Sequence, residues 1–491
     1  MKLGKWLSVL LIFLLAAVLL TGCNSAEKGF FNLSKEGSNH KIYEETGEIS
    51  IDIKQLPLEF TEDKEEDQLI AQQLLKGFSL TYKAEVDSEK QIMELTCYLK
   101  EKDANKEQRI FSFINVGNTG YINVRDLLQL IKIIGSPELY RQMGQAFGNA
   151  EYLSISNQEL SNMLQQMDAE LEGDYFQSLL DMNYQKKQQA LYERLIEGLM
   201  QDVYDKYESG IVRKEGNKYI ISMDAHGFVK LIRPFMAYTI DNIDSLGTFL
   251  KKTVNSLEYE EFKMLGLDPE EEGAYLESID AFVIDVKDNG SQYLVMLEEA
   301  AKEAEKIAND IFDGSKLIAT FEKLGSTGYK SNMELNIAVK DPEQPKDGFA
   351  FELHQNDIVK VRDSIGVSAP VTDIISFTEF HKRLPKVMNI EVYDNYYSLS
   401  QGLLCEYEDM EVNVLDNETM VPMRQVAEAF DEKVGWDKKV RMGYIYRDNK
   451  KVYMSGIIIN ERLYVKVRAF EKMGYMVQWN SETGTVTIQK R

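Results

Sequence analysis

The chain has 491 residues and a formal net charge of −24; 44% of its residues are hydrophobic and 10% are aromatic. That hydrophobic content excludes a disordered chain, and at roughly 150 residues per domain the length suggests about three domains. The charge argues against nucleic acid as a partner and against direct adhesion to anionic lipid, because a strongly acidic protein repels polyanionic partners. We interpret the acidity itself as a source of solubility.

The first residues have the pattern of a secretory signal peptide. Lys2 and Lys5 give a basic start, an apolar run spans residues 6–20, and small residues follow it. The apolar run is shorter than the ~20 residues that a transmembrane helix needs to cross the hydrocarbon core. Residues 1–22 are therefore predicted to be a cleaved signal peptide and not a membrane span.

Leu20, Thr21, Gly22 and Cys23 end this segment. They resemble the lipobox of bacterial lipoproteins, in which the cysteine is acylated and becomes the mature N-terminus. The resemblance implies an extracytoplasmic protein that lipidated Cys23 anchors to the outer face of the bacterial cell membrane. Attachment through two or three acyl chains is effectively permanent, because each buried CH₂ group contributes ~0.8 kcal/mol.

Residues 23–48 are rich in Asn, Ser, Lys, Glu and Gly, with Phe30 and Phe31 as an apolar interruption. This composition predicts a flexible tether after the lipidated cysteine. A coil of ~24 residues would hold the folded body ~25–30 Å from the bilayer.

Residues 49–385 are predicted to form a central α+β domain with mainly antiparallel strands. Alternation of apolar and polar residues indicates strands, and apolar residues at helical spacing indicate helices. The predicted strands are 49–53, 78–86, 90–100, 316–324, 330–340 and 348–354, and the predicted helices are 66–76 and 175–207. Residues 341–345 are predicted to be a loop.

A weak repeat of strand, turn, strand and helix occurs in this domain at 110–134, 210–238 and 282–312. In each copy a turn of Gly and Asn precedes a tyrosine that begins the second strand, and these turn residues suit tight hairpins. Duplication and chance recurrence both remain open. In the third copy Lys287 stands where a calcium loop needs an oxygen ligand, so residues 285–290 are predicted to be a hairpin turn.

Strand hairpins over helices loosely resemble lipoprotein carriers of the LolA/LppX-like kind. The resemblance is architectural and has no sequence motif behind it. It implies, as an alternative function, a carrier or sensor that holds an apolar ligand in the central domain.

Two cysteines follow Cys23, and they lie far apart at Cys97 and Cys405, so the chain has no disulfide framework. Cys97 alternates with Leu95 and Leu99 on a predicted strand. It is therefore predicted to be a buried thiol.

Residues 386–491 contain one unit twice: a strand, an arginine that opens a short helix, and a strand that ends in a tryptophan. The motif residues are Pro422, Arg424 and Trp436 in the first copy and Arg468, Gly474 and Trp479 in the second. We expect Gly474 to end its helix and the two tryptophans to anchor a small core.

This doubled unit resembles the stalk domain family, which is named after the N-terminal domain of copper amine oxidases and is common in surface proteins of Gram-positive bacteria. The resemblance implies a small α+β domain of two strand–helix–strand copies. Asp431 stands where the first helix of the family usually caps with Gly, and Lys466 replaces the second Pro.

No copper, other metal or cofactor is predicted. Amine oxidase chemistry needs a histidine-ligated copper and a quinone made from tyrosine, and neither belongs to the stalk family. The histidines of this chain are not within metal-ligand spacing of one another. They are His40, His226, His354 and His381.

Basic residues gather in the first copy of the doubled unit: Lys433, Lys438, Lys439, Arg441, Arg447, Lys450 and Lys451. Such a basic face would suit an anionic cell-wall polymer, for example a teichoic acid. The alternative interpretation is a solvated hairpin surface without a partner.

The sequence has no Gly-x-Ser-x-Gly, phosphate-loop, His-Glu-x-x-His or Cys-x-x-Cys motif. We therefore predict a non-enzymatic binding or scaffolding protein of the cell envelope. Its predicted partners are the membrane, through the lipid anchor, and an anionic wall polymer or another envelope protein. Besides the carrier, the alternative is a cell-wall-active hydrolase, which would need a cleft with two or more carboxylates of perturbed pKa.

Overall fold

The computed structural model describes residues 24–55, 78–101, 106–135, 137–166, 181–340, 348–402, 404–447, 450–481 and 483–490. The chain divides into two compact units, one of residues 1–117 with 181–369 and one of residues 118–180 with 370–491. The predicted domain boundary at residue 385 therefore falls inside the second unit. The signal peptide, Cys23, the helix predicted at 66–76 and the loop predicted at 341–345 lie outside the described residues.

The helices of the described residues alternate with strands along the chain. They are α1 (Ser25–Ser38), α2 (Val124–Ile134), α3 (Pro137–Phe147), α4 (Asn157–Gln166), α5 (Met182–Asp202), α6 (Ala225–Asp241), α7 (Ile243–Ser256), α8 (Tyr259–Met264), α9 (Glu272–Asp310), α10 (Phe377–Arg383) and α11 (Met423–Ala429). Two 3₁₀ segments lie at Pro269–Glu271 and Val467–Met473.

The strands up to residue 376 are β1 (Ile42–Gln55), β2 (Phe78–Asp87), β3 (Ile92–Glu101), β4 (Lys106–Val116), β5 (Thr119–Asn123), β6 (Tyr152–Ser156), β7 (Val212–Glu215), β8 (Lys218–Asp224), β9 (Lys316–Leu324), β10 (Gly328–Lys340), β11 (Gly348–Val361) and β12 (Ile374–Ser376). Those that follow are β13 (Lys386–Glu391), β14 (Tyr396–Gln401), β15 (Leu404–Asp409), β16 (Asn413–Leu415), β17 (Glu418–Pro422), β18 (Lys433–Asp437), β19 (Met442–Arg447), β20 (Lys450–Met454), β21 (Gly456–Ile459), β22 (Arg462–Lys466), β23 (Tyr475–Asn480) and β24 (Thr485–Lys490).

An antiparallel sheet forms the frame of the first unit, in the order β4-β3-β2-β1-β11-β10-β9-β8-β7. The strands predicted at 49–53, 78–86, 90–100, 316–324, 330–340 and 348–354 correspond to β1, β2, β3, β9, β10 and β11. Alternation was thus a sufficient signal for these strands. The predicted α+β fold class is confirmed.

Helices α5 to α9 bury an apolar cluster of their own in the first unit, which includes Leu199, Leu246, Phe249 and Tyr275. The helix predicted at 175–207 corresponds to α5 in its described part.

The third predicted repeat, at 282–312, is wrong. Residues 282–310 all belong to α9, a single helix of 39 residues. Asn289 Nδ2 donates to Asp285 Oδ1 at 2.8 Å, one helical turn away, so these residues do not form a hairpin turn. Gly290 serves close helix packing, because a Cβ built there would lie 2.7 Å from Ile240 Cγ2 on α6.

The flexible tether predicted at 23–48 is also wrong for its described residues. They form α1 and the start of β1. Phe30 on α1 is buried with Val212 and Tyr219, and its ring lies 4.9 Å from that of Phe321. The polar composition of the segment belongs to the exposed side of a helix whose apolar side is packed.

The second unit contains a small sheet in which β6 pairs antiparallel with β5 and parallel with β12. Phe147 of α3 and Phe380 of α10 stack in its core with their centroids 4.4 Å apart. The C-terminal domain, residues 386–490, adds the sheets β15-β14-β13-β24-β23, β16-β17-β22-β21 and β18-β19-β20. One apolar core lies among these three sheets, with Met388, Ile390 and Ile445 fully buried.

Candidate functional site

The two copies of the C-terminal unit meet through their first strands. β17 pairs antiparallel with β22, and Val421 lies opposite Val465. Each copy continues with a short helix, α11 or the 3₁₀ segment Val467–Met473, and then with β18 or β23. This order agrees with the doubled unit that the sequence predicted.

The expectation that Trp436 and Trp479 anchor the core is wrong. Their exposed fractions are 42% and 44%. Each indole follows the last strand residue that packs on the core, Val434 or Val477, by two positions, where the core-facing side of the strand reaches solvent. The aromatic residues buried in this domain are Tyr397, Phe430, Tyr464, Phe470 and Tyr475.

The other motif residues have local roles. Pro422 is the buried N-cap residue of α11. Arg424 and Arg468 are exposed, and each faces an acid of its own helix, Glu428 at 3.9 Å or Glu471 at 3.1 Å. Such exposed pairs contribute only ~0–1 kcal/mol to stability.

Both short helices end in the left-handed conformation. Gly474 has φ of +80°, and Asp431 has φ of +60° at the equivalent position of the first copy. Asp431 accepts a hydrogen bond from Lys386 Nζ at 2.7 Å. The departure from glycine therefore keeps the backbone geometry, which Asp tolerates better than most residues.

The basic residues expected to form one wall-contact face do not share a face. Lys433 and Lys451 both lie opposite Tyr446, so their side chains project from the same side of the β18-β19-β20 sheet as Tyr446. Arg447 and Lys450 pair with each other and project from the opposite side, because strand residues alternate. The remaining three lie in the turn between β18 and β19: Lys438, Lys439 and Arg441.

Three tyrosines accompany Lys433 and Lys451, and we call this group of five the tyrosine face. Tyr444 lies opposite Tyr453, and its ring centroid is 5.0 Å from that of Tyr446 and 6.0 Å from that of Tyr453. Tyr446 and Tyr453 are 40% and 42% exposed. Lys451 Nζ lies 4.3 Å from the centroid of the Tyr444 ring, within cation–π range. The result is an aromatic surface with cations beside it.

Gly435 sets the position of the central ring. It lies opposite Tyr444, and a Cβ built on Gly435 would be 2.4 Å from Tyr444 Oη. The tyrosine ring therefore lies across the bare backbone of the neighbouring strand.

Asp437 lies next to the tyrosine face, and each of its two carboxylate oxygens accepts a hydrogen bond. Tyr453 Oη donates to Asp437 Oδ2 at 2.8 Å, and the backbone N–H of Lys439 donates to Oδ1 at 2.9 Å. The first of these bonds, supported by the second, holds the pKa of Asp437 below its usual value. Its charge is balanced locally, since Lys451 Nζ is 3.6 Å away.

A groove of about 910 Å³, which we call the Trp436 groove, opens on another surface of the C-terminal domain. Its lining includes four carboxylates and two guanidiniums beside apolar side chains. These residues are Asp409, Glu411, Arg424, Glu428, Trp436, Ile458, Glu461, Arg462 and Leu463. Acids outnumber bases there, which is the reverse of the balance at the tyrosine face.

The sequence contains a pattern of tyrosines that indicates the tyrosine face, but a list of the basic residues alone did not reveal it. Tyr444 and Tyr446 alternate on one strand, and Tyr453 lies on the next strand, opposite Tyr444. Only the strand register shows that all three project from one side.

An apolar groove of about 370 Å³ lies in the first unit, between α6, α9 and strands β8 to β10. Phe228, Ile307 and Phe312 line it and are 38–42% exposed. This is the type of surface that the carrier alternative requires.

Two acids share one partner inside the sheet of the first unit. Tyr82 Oη lies 3.0 Å from Glu45 Oε1 and 2.6 Å from Asp357 Oδ1. Because the hydroxyl has a single proton, both contacts are hydrogen bonds only when one carboxyl is protonated. Burial raises the pKa of the Glu45 carboxyl above its usual value. Ser331 and Gln355 hold the other oxygen of Asp357, which gives the group a structural role.

The described part of the chain has no group of three or more His, Cys, Asp or Glu side chains placed to hold a metal ion. Within the same residues, no helix combines the length and apolar character needed to cross a membrane. Cys97 is half-buried and Cys405 exposed, both as free thiols, and burial raises the pKa of the Cys97 thiol.

Residues 404–456 and 446–491 match the family model of the copper amine oxidase N-terminal domain. The two matches follow the two copies of the C-terminal unit and confirm the family resemblance for that part of the chain. The matched domain is a non-catalytic one. No curated protein and no solved structure matches the chain.

Proposed function

We propose that this chain is a lipoprotein of the bacterial cell envelope that binds an anionic wall polymer and catalyses no reaction. Cys23 carries the lipid anchor, which places the folded units outside the cytoplasm. The tyrosine face is the observation that supports the binding role most directly. The non-catalytic nature of the matched C-terminal domain supports the absence of an enzymatic role there.

The chemistry of the tyrosine face suits a polymer of sugar or polyol units joined by phosphate. Aromatic rings offer flat surfaces to the C–H groups of such units, and lysine ammonium groups attract the phosphates. Lys438, Lys439 and Arg441 extend the positive charge along the adjoining turn. The Trp436 groove suits an anion poorly, because its carboxylates outnumber its guanidiniums.

Charge neutralisation tests this choice of surface. The variant K433Q/K451Q should lower retention on purified cell walls about tenfold, since two exposed charge contacts contribute roughly 0.5–1 kcal/mol each. The matched control R424Q/R462Q removes the same number of charges from the Trp436 groove and should bind as the wild type does. Equal retention by all three proteins would rule out the tyrosine face as the binding surface.

The chemical identity of the polymer is tested by a change to the cell wall and not to the protein. Walls stripped of their anionic polymer should lose most of their capacity for the wild-type protein, and added salt should weaken binding to intact walls, because exposed charges are screened. Undiminished binding to stripped walls would show that the ligand is another wall component.

The lipid anchor needs its own test. Cys23→Ala should release the processed protein from the membrane, and the wild-type N-terminal peptide should carry acyl mass. Retention of the processed Cys23→Ala protein in the membrane fraction would contradict the anchor.

The apolar groove of the first unit supports a second candidate function, the carriage of an apolar ligand. Native mass spectrometry of residues 24–491, made in a bacterial host, should then reveal a lipid-sized adduct. Ile307→Arg, inside the groove, should abolish the adduct, and Val295→Arg, which is on the same helix but outside the groove lining, should keep it. An apo mass for the wild type would leave this candidate without support.

A further inference from the structure

The segment next to the proposed lipid site is fixed to the body of the first unit. Asn24 Oδ1 accepts hydrogen bonds from the N–H groups of Ala26 and Glu27, both at 2.9 Å. Glu27 Oε2 accepts from the N–H of Asn24 at 2.9 Å, which completes a capping box at the start of α1. The residue that follows Cys23 is therefore held by three hydrogen bonds.

Glu27 also connects α1 to the rest of the unit. Its side chain is fully buried, and its Oε1 accepts from Ser209 Oγ at 2.6 Å and from the N–H of Gly210 at 2.8 Å. A buried carboxylate persists only with such partners, so removal of this contact would cost more than the loss of an exposed pair. Glu27 thus fixes the start of α1 against residues 209–210.

The apolar side of α1 adds a second attachment. Phe30 packs into the cluster with Ile211 and Tyr219. Gly29 allows this approach, since a Cβ built there would lie 2.3 Å from Tyr219 Oη. Within seven residues of Cys23 the chain is thus committed to the fold of the first unit.

We propose that the first unit rests directly on the lipid headgroups, in one orientation, with the surface around Asn24, Glu208 and Gly210 facing the bilayer. This inference rests on the proposed lipidation of Cys23. Consecutive Cα atoms are ~3.8 Å apart, so an anchor on Cys23 leaves no room for the ~25–30 Å spacing that a flexible tether would give. The bilayer surface is the partner of this face.

Lipid-quenching fluorescence on the intact lipoprotein tests the orientation. In a background with Cys97→Ser and Cys405→Ser, a fluorophore is attached at Glu208→Cys or at Gln108→Cys, both exposed positions of the first unit. Glu208 precedes β7, and β4, which holds Gln108, is eight strands away in the sheet, or roughly 38 Å at ~4.8 Å per strand. The vesicles contain phosphatidylglycerol, phosphatidylethanolamine and a lipid with a nitroxide on its headgroup.

We expect quenching at position 208 to be at least fivefold stronger than at position 108. A matched variant carries twelve Gly and Ser residues inserted between Cys23 and Asn24, which adds ~19 Å of flexible chain without changing α1. That insertion should reduce quenching at position 208 to the level at position 108. Equal quenching at both positions in the protein without the insertion would overturn the orientation.

Failure of the underlying anchor gives a different result. If Cys23 carries no lipid, acyl mass is missing from the N-terminal peptide and the protein does not float with the vesicles. Only quenching data from protein that floats with the vesicles test the orientation.

Discussion

The two copies of the C-terminal unit share a backbone plan and differ in what they present to solvent. In the first copy Gly435 lies opposite Tyr444, and in the second Gln478 lies opposite Thr487. Thr487 donates to Asn389 Oδ1 at 2.8 Å across the next strand, so the second copy has a polar surface where the first has the tyrosine face.

The core-facing side differs as well. Trp436 lies opposite Gly443, whereas Trp479 lies opposite Val486. Both indoles are exposed. In the first copy Gly443, which has no side chain, lines the Trp436 groove next to the indole. The two copies therefore share the backbone arrangement that the motif specifies. The residues on the neighbouring strand, opposite the motif, determine which side chains each copy presents to solvent.

Exchange of the residues opposite the tryptophans should have the largest effect. Val486→Gly removes a buried side chain and should cost about 3 kcal/mol, and Gly443→Val should cost about 1–3 kcal/mol because its Cβ would lie 2.4 Å from Leu463 Cδ2. Urea unfolding of residues 24–491 followed by tryptophan fluorescence measures both, since the tryptophans of that fragment lie only in this domain. A Gly443→Val variant as stable as the wild type would show that the groove can close without strain.

Removal of the glycine under Tyr444 should have the next largest effect. Gly435→Ala forces the Tyr444 ring to move and should cost about 1–2 kcal/mol, with weaker retention on cell walls. The control is Gln478→Ala at the equivalent exposed position of the second copy, which should change stability by less than about 0.5 kcal/mol. Equal effects of the two substitutions would remove the proposed distinction between the copies.

The helix ends give a smaller, asymmetric effect. Gly474→Ala places a Cβ at φ of +80° and should cost about 1 kcal/mol. Asp431→Gly relieves a milder strain but loses the contact with Lys386, so its net change should stay within about 0.5 kcal/mol. The same urea unfolding measures both, and a strongly stabilised Asp431→Gly protein would show that the ion pair contributes nothing.

The sequence was sufficient where the local pattern and the fold agree. Alternation placed β1 to β3 and β9 to β11, and the repeated arginine-to-tryptophan spacing identified the doubled unit. It failed at residues 285–290, because Asn and Gly also occur inside a long helix when a neighbour packs closely, as Ile240 does against Gly290. Propensity within a short window cannot detect that tertiary contact.

The residues of the candidate site could be predicted only in part, because their arrangement also depends on tertiary structure. The basic residues between Lys433 and Lys451 could be counted, but the side of the sheet that each one faces depends on the register in which β18, β19 and β20 pair. Burial of the tryptophans was inferred from residue type, and strand position overruled it. The tether failed because α1 is stabilised by Ser209, Gly210 and Tyr219, which are distant in sequence.

The smallest expected effect is a pH dependence confined to the first copy. Hydrogen bonds from Tyr453 and from the N–H of Lys439 lower the pKa of Asp437, whereas the second copy has the neutral Asn480 at this position. A lowered pKa means that the unfolded chain takes up the proton first. The contribution of Asp437 to stability is therefore present above the ordinary Asp value, ~3.9, and is lost as the pH falls through its own lower pKa.

Tyr453→Phe removes the principal donor and should move the Asp437 titration midpoint up toward the ordinary value, as followed by NMR of the side-chain carboxyl. The N–H of Lys439 remains, so the shift should be partial. Tyr446→Phe is the matched control, because Tyr453, not Tyr446, is the tyrosine that donates to Asp437, and it should leave the midpoint in place. An unchanged midpoint in Tyr453→Phe would mean that the backbone N–H of Lys439, and not the Tyr453 hydroxyl, lowers the pKa of Asp437.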